Sequence, residues 1–214
     1  MPHTRADPVR LHVEMPTSRD FWAALGRPLL VLPHALLVGG PFIGFGAGAY
    51  RFGALGLAAS TIAVFDWISI LFTGHPVAGL QPLKRFYLRW RAHALAYACF
   101  LRDEYPPFGE GDYPAWLDLP EAPASRNLAS VVLRPLLLVP HVLVLLVLVL
   151  AAAVAWVVSW FTLVFSRRMS PALWRFSRDV VTYGLRVEAY ALLIHDEFPA
   201  FSLAAHAEPA GAMA

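Results

Sequence analysis

Two long runs of apolar residues dominate the hydrophobic pattern of the chain. The first covers residues 28–73 and the second covers residues 131–165. Each is longer than the roughly 20 residues that an α-helix needs to cross a bilayer, so the pattern predicts an all-α membrane protein. A glycine-rich stretch and a polar break at residues 50–53 divide the first run. This division predicts two transmembrane helices, over residues 28–49 and 54–73, that form a hairpin.

The second run leaves two interpretations open. Basic residues follow both runs, and because cytoplasmic loops are rich in lysine and arginine, both exits are expected on the cytoplasmic side. This common side favours a hairpin in the second run as well. The turn would fall at residues 151–153, where three alanines favour a continuous helix. The alternative is therefore one long helix kinked at Pro135 and Pro140, although the agreement of the basic clusters makes a hairpin our expectation.

A helix with one apolar and one polar face follows each run. Apolar positions recur every three or four residues over residues 83–101 and 173–194, which is typical of an amphipathic helix. We expect both helices to lie in the membrane interface, with their arginines directed at anionic lipid headgroups or at a membrane partner. The alternative is that each helix crosses the membrane with its polar face buried in a helix bundle, where unpaired charges are costly. The arginines concerned are Arg85, Arg89, Arg91, Arg175 and Arg178.

The two runs belong to a sequence that occurs twice. Residues 27–34 return as residues 134–141 at an offset of 107, and residues 103–108 return as residues 196–201 at an offset of 93. The difference of 14 residues (107 minus 93) falls within the first apolar run. Internal repeats define an architecture. This one predicts a tandem duplication in which each repeat has a transmembrane hairpin, or a kinked long helix, and an amphipathic interfacial helix.

The repeat defines the expected organisation of the chain. The predicted parts are an N-terminal arm (1–15), repeat 1 (16–108), a linker (109–124), repeat 2 (125–201) and a disordered tail (202–214). Apolar and polar residues alternate in the arm, which predicts a short strand or an extended segment on the membrane surface. Ser18 and Ser125 are placed to cap the first helix of each repeat, since a hydroxyl can accept a hydrogen bond from a free helical N–H.

Composition supports a membrane location and excludes several classes of function. Apolar residues make up 58% of the chain and charged residues 15%, which is more apolar than an ordinary soluble domain. The net charge of +2 is too small to indicate nucleic acid binding. Cys99 is the only cysteine, so the chain has neither an intrachain disulfide nor a cysteine-based metal site. We expect a multi-pass protein of the bacterial inner (plasma) membrane.

Two histidines occupy equivalent positions in the repeats. His34 and His141 each follow a proline inside an apolar run. Imidazoles from two helices could ligate a haem iron or a chlorophyll magnesium. They could also serve the local structure, since a proline frees a backbone carbonyl whose hydrogen bonding a nearby side chain can restore. The structural role is favoured, so no cofactor is assigned and haem or chlorophyll binding stays the alternative.

Paired acids end both amphipathic helices. Because the C-terminus of a helix disfavours anions, these carboxylates are expected to need cationic partners. The candidates are the arginine at the start of each apolar run, or Arg89 and Arg186 on the amphipathic helices. These ion pairs are expected to dock the amphipathic helix onto the base of the apolar run. The residues concerned are Arg27, Asp103 and Glu104 in repeat 1, and Arg134, Asp196 and Glu197 in repeat 2. An aromatic residue, Phe108 or Phe201, is expected to fill each junction.

One further acid lies inside a predicted transmembrane helix. Asp66 precedes Trp67, and repeat 2 has Ser159 at the equivalent position. An acid within a membrane segment is a functional hypothesis by default. Asp66 lies near the end of its segment, however, so we expect it to reach the interface or to pair with an arginine.

The repeated motifs resemble a family of bacterial membrane proteins. The motifs are Pro-Leu-Leu-x-x-Pro-His, then Trp-x-x-x-Leu-Phe-Thr-Gly, then an arginine-bearing helix that ends in Asp-Glu-Tyr-Pro-Pro-Phe. This family is known as a domain of unknown function and is common in actinobacteria. Repeat 2 departs from the pattern where Phe165, Ser166 and Arg167 replace Phe-Thr-Gly, and where Ala200 replaces the second proline. The resemblance covers nearly the whole chain and implies an architecture rather than a mechanism.

No enzyme motif accompanies this architecture. The sequence has no phosphate-binding loop, no Gly-x-Ser-x-Gly and no His-Glu-x-x-His. We therefore predict a non-enzymatic membrane scaffold or accessory subunit, with membrane lipids and other membrane protein subunits as its partners.

Overall fold

A computed structural model describes residues 8–40, 53–121, 123 and 126–203. Within these residues the chain is mostly helical, which agrees with the predicted class. The elements in chain order are β1 (Arg10–Val13), α1 (Phe21–Leu30), α2 (Leu32–Val38), α3 (Gly53–Thr73), α4 (Gln81–Ala98), β2 (Ala115–Asp118), α5 (Leu128–Ser166) and α6 (Pro171–Ala191).

Asx side chains at equivalent positions begin α1 and α5. The carboxylate of Asp20 accepts a hydrogen bond from the backbone N–H of Trp22 at 2.8 Å. The side chain of Asn127 accepts one from the N–H of Ser130 at 3.2 Å. Both satisfy amide groups that have no partner within the helix. The cap predicted at Ser18 is wrong by two residues, and Ser125 lies outside the described residues.

The first apolar run begins with two short helices. α1 and α2 meet at a bend of 45°. The bend precedes Pro33, which lacks an amide hydrogen and whose ring crowds the carbonyl four residues earlier. The second predicted helix of this run, over residues 54–73, agrees with α3 to within one residue. The turn predicted between the two lies in residues 41–52, outside the described residues.

The second apolar run forms one helix, so the hairpin predicted there is wrong. α5 has 39 residues and contains both Pro135 and Pro140. Residues 151–153 continue the helix, as the helix propensity of alanine favours. The alternative interpretation was one long helix kinked at Pro135 and Pro140, and the structure agrees with it in having a single helix.

Taken together, α2 and α3 correspond to the middle and end of α5. The offset of 107 relates Val38 to Leu145, and the offset of 93 relates Gly53 to Leu146, the next residue of α5. The two pieces remain in contact, because a Cβ on Gly53 would lie 2.4 Å from the carbonyl carbon of Leu37. The φ of Gly53 is +68°, a conformation that favours glycine. By these two offsets, residues 39–52 have no equivalent in α5.

Two tryptophans connect the apolar helices in equivalent ways. Trp67 Nε1 on α3 donates to the carbonyl of Val131 on α5 at 2.8 Å. Trp160 Nε1 on α5 donates to the carbonyl of Ala24 on α1 at 3.1 Å. The end of α3 therefore meets the start of α5, and the end of α5 meets the start of α1. α5 thus runs antiparallel to the path from α1 to α3.

The amphipathic helices α4 and α6 form the centre of the molecule. They pack against each other in antiparallel orientation, with Lys84 Nζ donating to the carbonyl of Leu192 at 2.7 Å. All residues from 90 to 97 in α4 and from 180 to 190 in α6 are buried. A helix buried over consecutive residues is covered on every side. These helices therefore differ from the predicted interfacial helices, whose polar faces were expected to meet lipid headgroups.

A two-stranded sheet covers one side of α4 and α6. β1 pairs with β2 in antiparallel orientation, with Leu11 opposite Leu117. These two leucines are buried, whereas Trp116 and Asp118 point outwards. β1 agrees with the strand interpretation of the N-terminal arm. β2 lies within residues 109–124, which were predicted to form only a linker.

Candidate functional site

The interior contains two kinds of polar feature. Some recur at the sequence offsets of 107 and 93, and others occur only once. The recurring features include a cluster of arginines around the aspartate that follows each central helix, and a histidine pocket in each apolar run.

The first arginine cluster surrounds Asp103, directly after α4. Its carboxylate accepts hydrogen bonds from Arg19 Nη1 at 3.2 Å, from Arg27 Nη2 at 2.7 Å and from the backbone N–H of Asp20 at 3.1 Å. Arg27 also donates to the carbonyl of Tyr97 at 2.8 Å. Its guanidinium lies 4.6 Å from the centroid of the Tyr97 ring, within the range of a cation–π interaction. This first clamp (Arg19, Arg27, Asp103) fastens the end of α4 to α1.

The second clamp (Arg126, Arg134, Asp196) has the same geometry. Asp196 accepts from Arg126 Nη1 at 3.0 Å, from Arg134 Nη2 at 2.8 Å and from the backbone N–H of Asn127 at 3.1 Å. Arg134 donates to the carbonyl of Tyr190 at 2.7 Å and lies 4.1 Å from the centroid of that ring. The arginines of both clamps are almost fully buried. In each clamp two guanidinium groups share one carboxylate, and backbone carbonyls accept further hydrogen bonds from them.

The clamps differ from the predicted ion pairs in two respects. Glu104 takes no part in the first clamp, since its Oε1 lies 2.5 Å from Arg102 Nη2 on the surface. Glu197 is exposed. The prediction also missed Arg19 and Arg126, although Ser-Arg-Asp and Ser-Arg-Asn recur at the offset of 107. The recurrence of this arginine in both repeats could have identified Arg19 and Arg126 as partners of the aspartates.

A histidine pocket lies between the first apolar run and α4. His34 Nδ1 accepts a hydrogen bond from Trp90 Nε1 at 3.0 Å. The imidazole stacks on Phe108 with a centroid distance of 4.5 Å and packs against Tyr105 at 5.1 Å. Phe108 therefore fills the junction after the Asp-Glu pair by covering the histidine ring.

The second histidine pocket has the same plan. His141 Nδ1 lies 2.7 Å from the hydroxyl of Tyr183. The imidazole stacks on Phe201 at 4.3 Å and packs against Phe198 at 4.7 Å. Tyr183 occupies the position equivalent to Trp90 at the offset of 93. Each apolar run thus uses a histidine to bind the central helix beside it.

The geometry of the first pocket does not suit axial ligation of a haem or a chlorophyll by His34. An indole N–H can only donate, so Nδ1 of His34 must keep its lone pair, and the neutral ring carries its proton on Nε2. A histidine that binds a metal through Nε2 needs its lone pair there and normally donates from Nδ1. Ligation by His34 would require the opposite tautomer and the loss of its bond to Trp90.

One buried charge pair has no counterpart at the repeat offsets. Asp66 on α3 accepts from Lys84 Nζ at 2.5 Å, from Gln81 Nε2 at 2.8 Å and from the backbone N–H of Val77 at 2.8 Å. The side chains of Asp66 and Lys84 are both fully buried. Asp66 was expected to reach the interface or to pair with an arginine, but its partner is the only lysine of the chain. Serines replace both charges at the offset of 93.

A second unrepeated network connects α4 with α6. Arg91 Nε lies 2.7 Å from Glu188 Oε2, and the hydroxyl of Tyr87 donates to Glu188 Oε1 at 2.5 Å. Arg91 also donates to the carbonyl of Val38 at the end of α2. Burial raises the pKa of Tyr87 well above its ordinary value, which keeps the phenol protonated as a donor to Glu188. Glu188 was not among the predicted site residues, and the available signal was a single acid within an apolar segment of α6.

The arginines predicted to face lipid have different environments. Arg91 is fully buried, so it differs most from that expectation. Arg85 donates to the carbonyl of Pro120 at 2.5 Å, Arg89 lies 3.2 Å from Glu110, and Arg178 lies 2.8 Å from Asp179. Arg175 is exposed on the first turns of α6. Two further exposed arginines, Arg167 and Arg168, lie between α5 and α6.

The most extensive unexplained feature lies outside these networks. The outward faces of α1, α2, α3 and α5 expose large apolar side chains along their whole length. They include Trp22, Leu29, Leu36, Leu57, Phe65, Phe72, Leu136, Val147, Val154 and Phe165. We call this the outer apolar surface. Arg134 is the one charged residue in the sequence of α5, and its side chain lies on the buried side of the helix, away from the outer apolar surface.

An exposed apolar surface of this extent indicates an interaction with lipid or protein. α3 and α5 are each long and apolar enough to cross a membrane, and the bent pair α1–α2 is a third candidate. Among the described residues, no group of three or more His, Cys, Asp and Glu side chains is placed to hold a metal ion. The outer apolar surface is therefore the main candidate functional site.

Comparison with known proteins gives one match. A family model described as a domain of unknown function (DUF4389) matches residues 49–109 and residues 129–202. The first region contains α3 and α4, and the second contains α6 and all of α5 except its first residue. No curated protein and no solved structure matches the chain.

Proposed function

The chain belongs to the DUF4389 family, and we propose that it is a non-enzymatic scaffold or accessory subunit held in a membrane by its outer apolar surface. The observation that carries this proposal is the separation of its side chains. The charged side chains next to the apolar helices are buried against ionic partners, while the outward faces of those helices carry aliphatic and aromatic groups. This distribution suits a protein whose surroundings are hydrocarbon on one side.

We propose further that the chain is a tandem duplication. The two clamps and the two histidine pockets, related by the offsets of 107 and 93, support this. The backbone gives additional support, because Phe100 and Leu193, related by the offset of 93, have φ values of 63° and 58°. This conformation costs a non-glycine residue about 1–2 kcal/mol, so its occurrence at both positions indicates a common origin.

The buried polar groups favour a structural role over catalysis. Each clamp aspartate is occupied by two arginines and a backbone amide, and Glu188 is occupied by Arg91 and Tyr87. These groups hold helices together and leave the outer apolar surface as the place where lipids or other membrane protein subunits bind. The bacterial inner membrane stays the predicted location.

Contact with lipid can be tested by labelling two exposed positions in a Cys99→Ala background. We expect an environment-sensitive fluorophore on Val147→Cys to be quenched by bromine-labelled lipids in proteoliposomes. A fluorophore on Trp116→Cys, in the outward face of the sheet, should not be quenched. Val147 and Trp116 are similarly exposed, at 65% and 52%, so the comparison isolates the surroundings of the two surfaces. Equal quenching, or none at Val147, would contradict the proposal.

Anionic lipid should bind at the end of α5. Arg168 and Arg175 are exposed there, beside the exposed Phe165, and each basic residue near an anionic membrane contributes about 1 kcal/mol. We expect Arg168→Ala with Arg175→Ala to reduce the preference for spin-labelled phosphatidylglycerol over phosphatidylcholine among protein-bound lipids. Arg89→Ala is the control, because Glu110 already pairs with that charge. A preference that Arg89→Ala reduces as much as the double variant would count against this site.

A further inference from the structure

The length of α5 is the first observation that bears on how the protein lies in the membrane. Its 39 residues extend over about 58 Å at 1.5 Å per residue, whereas the hydrocarbon core of a bilayer is about 30 Å thick. A helix along the membrane normal would place nearly half of this length in headgroups and water. Nevertheless, the helix exposes apolar side chains from Leu128 at its start to Phe165 at its end.

The position of the sheet is the second observation. The segment around β2 packs beside the middle of α4, where Arg85 donates to the carbonyl of Pro120 and the ring of His93 lies 5.1 Å from that of Tyr113. On the outward face of the sheet, His12 Nε2 lies 2.7 Å from Asp118, whose side chain is 60% exposed. If α4 ran along the membrane normal, this charged face would lie at the depth of the hydrocarbon core, where an exposed charge costs several kcal/mol.

The order of layers is the third observation. The sheet packs on α4 and α6, the apolar helices pack on the same two helices, and the residues between are buried on all sides. One outer layer is therefore apolar and the opposite outer layer is charged. The polarity of these layers matches that of a membrane surface if they are stacked along the membrane normal. The apolar helices would then lie deepest, and the sheet would lie in water.

We infer that α5 and the path from α1 to α3 lie within a single leaflet, roughly parallel to the membrane plane, and that the sheet faces the water on that same side. This inference rests on the proposed membrane function and names its partner, the acyl chains and headgroups of one leaflet. It differs from the multi-pass arrangement predicted from the sequence. It also accounts for two sequence signals that conflicted, because the basic residues that follow the two apolar runs can share one side of the membrane without any turn within α5.

The two ends of α5 provide the test. In a Cys99→Ala background, single cysteines at Leu128, Arg168 and Trp116 would be treated with a membrane-impermeant maleimide in sealed, uniformly oriented vesicles. We expect all three positions to be labelled from the same side, with no increase after permeabilisation. Labelling of Leu128 and Arg168 from opposite sides would overturn the inference.

Depth measurements keep the inference testable if one variant is labelled poorly. Nitroxides at Leu136, Val147 and Val158 on the exposed side of α5 should show similar ratios of collision with oxygen and with a water-soluble nickel complex. A steep gradient from one position to the next would mean that the helix crosses the bilayer. Low oxygen collision at all three would instead mean that the helix does not lie in lipid, and the proposed function itself would fail.

Discussion

Replacing Asp103 with alanine is expected to destabilise the protein by about 3–5 kcal/mol, and replacing Asp196 should cost a similar amount. Each substitution leaves two nearly buried guanidinium groups without their shared carboxylate, Arg19 and Arg27 in one clamp and Arg126 and Arg134 in the other. Removing one partner of a buried ion pair is costly because the remaining charge stays desolvated. The measurement is the free energy of unfolding in detergent micelles, from urea titration.

The adjacent glutamate provides the control for this experiment. Glu104 pairs with Arg102 at the surface and its side chain is 51% exposed, so Glu104→Ala should cost no more than about 1 kcal/mol. Similar losses in the free energy of unfolding for Asp103→Ala and Asp196→Ala would support the duplication, because residues at equivalent positions would then contribute equally to stability. A loss for Asp196→Ala close to that of Glu104→Ala would show that the second clamp contributes little.

The clamps were partly predictable because the repeat pointed to them. A pair of acids at the end of a helix needs cations, and the arginine at the start of each apolar run recurs at a fixed offset, so Arg27 and Arg134 could be named. Arg19 and Arg126 were not predicted because they lie before the apolar runs, in segments that were expected only to cap the first helix of each repeat. The same segments contain Asp20 and Asn127, which cap the helices in place of the predicted serine.

The single helix α5 shows how two sequence signals can conflict. The alanines at residues 151–153 favoured a continuous helix, and local propensity described the structure correctly. The hairpin was predicted from the distribution of basic residues. The rule that relates this distribution to topology assumes that each apolar segment crosses the membrane. A helix that lies in one leaflet breaks this assumption, which explains why that signal gave the wrong secondary structure.

The centre of the molecule could not be predicted because its contacts are between distant residues. Periodicity separated an apolar stripe of α4 from a face with Arg85, Arg89 and His93, but it did not place Arg91 and does not say what covers a side chain. Here Glu188, nearly a hundred positions away, covers it. β2 is a comparable case, because a strand of four residues in a proline-rich segment becomes recognisable only beside β1.

Replacing Arg91 alone with methionine is expected to cost about 3–5 kcal/mol, since Glu188 would remain as a buried charge with only Tyr87 as a hydrogen-bond donor. Glu188→Met should be similarly costly because it leaves Arg91 unpaired. Combining both substitutions with Tyr87→Phe removes the two charges and the orphaned hydroxyl together. We expect the triple variant to be more stable than either single variant, as replacement of a whole buried network by apolar groups is often neutral.

The control for this cycle lies two residues away on the same helix. Arg89 and Glu110 form a pair of the same chemical type, but their side chains are 42% and 43% exposed, so each methionine substitution there should change stability by no more than about 1 kcal/mol. With the double variants Arg91→Met/Glu188→Met and Arg89→Met/Glu110→Met added, the unfolding free energies of the seven variants give the coupling energy of each pair. If the triple variant were as unstable as the sum of its parts, Arg91 and Glu188 would act independently, for instance through the bond from Arg91 to the carbonyl of Val38. The network would then fasten α2 to the central helices rather than join α4 to α6.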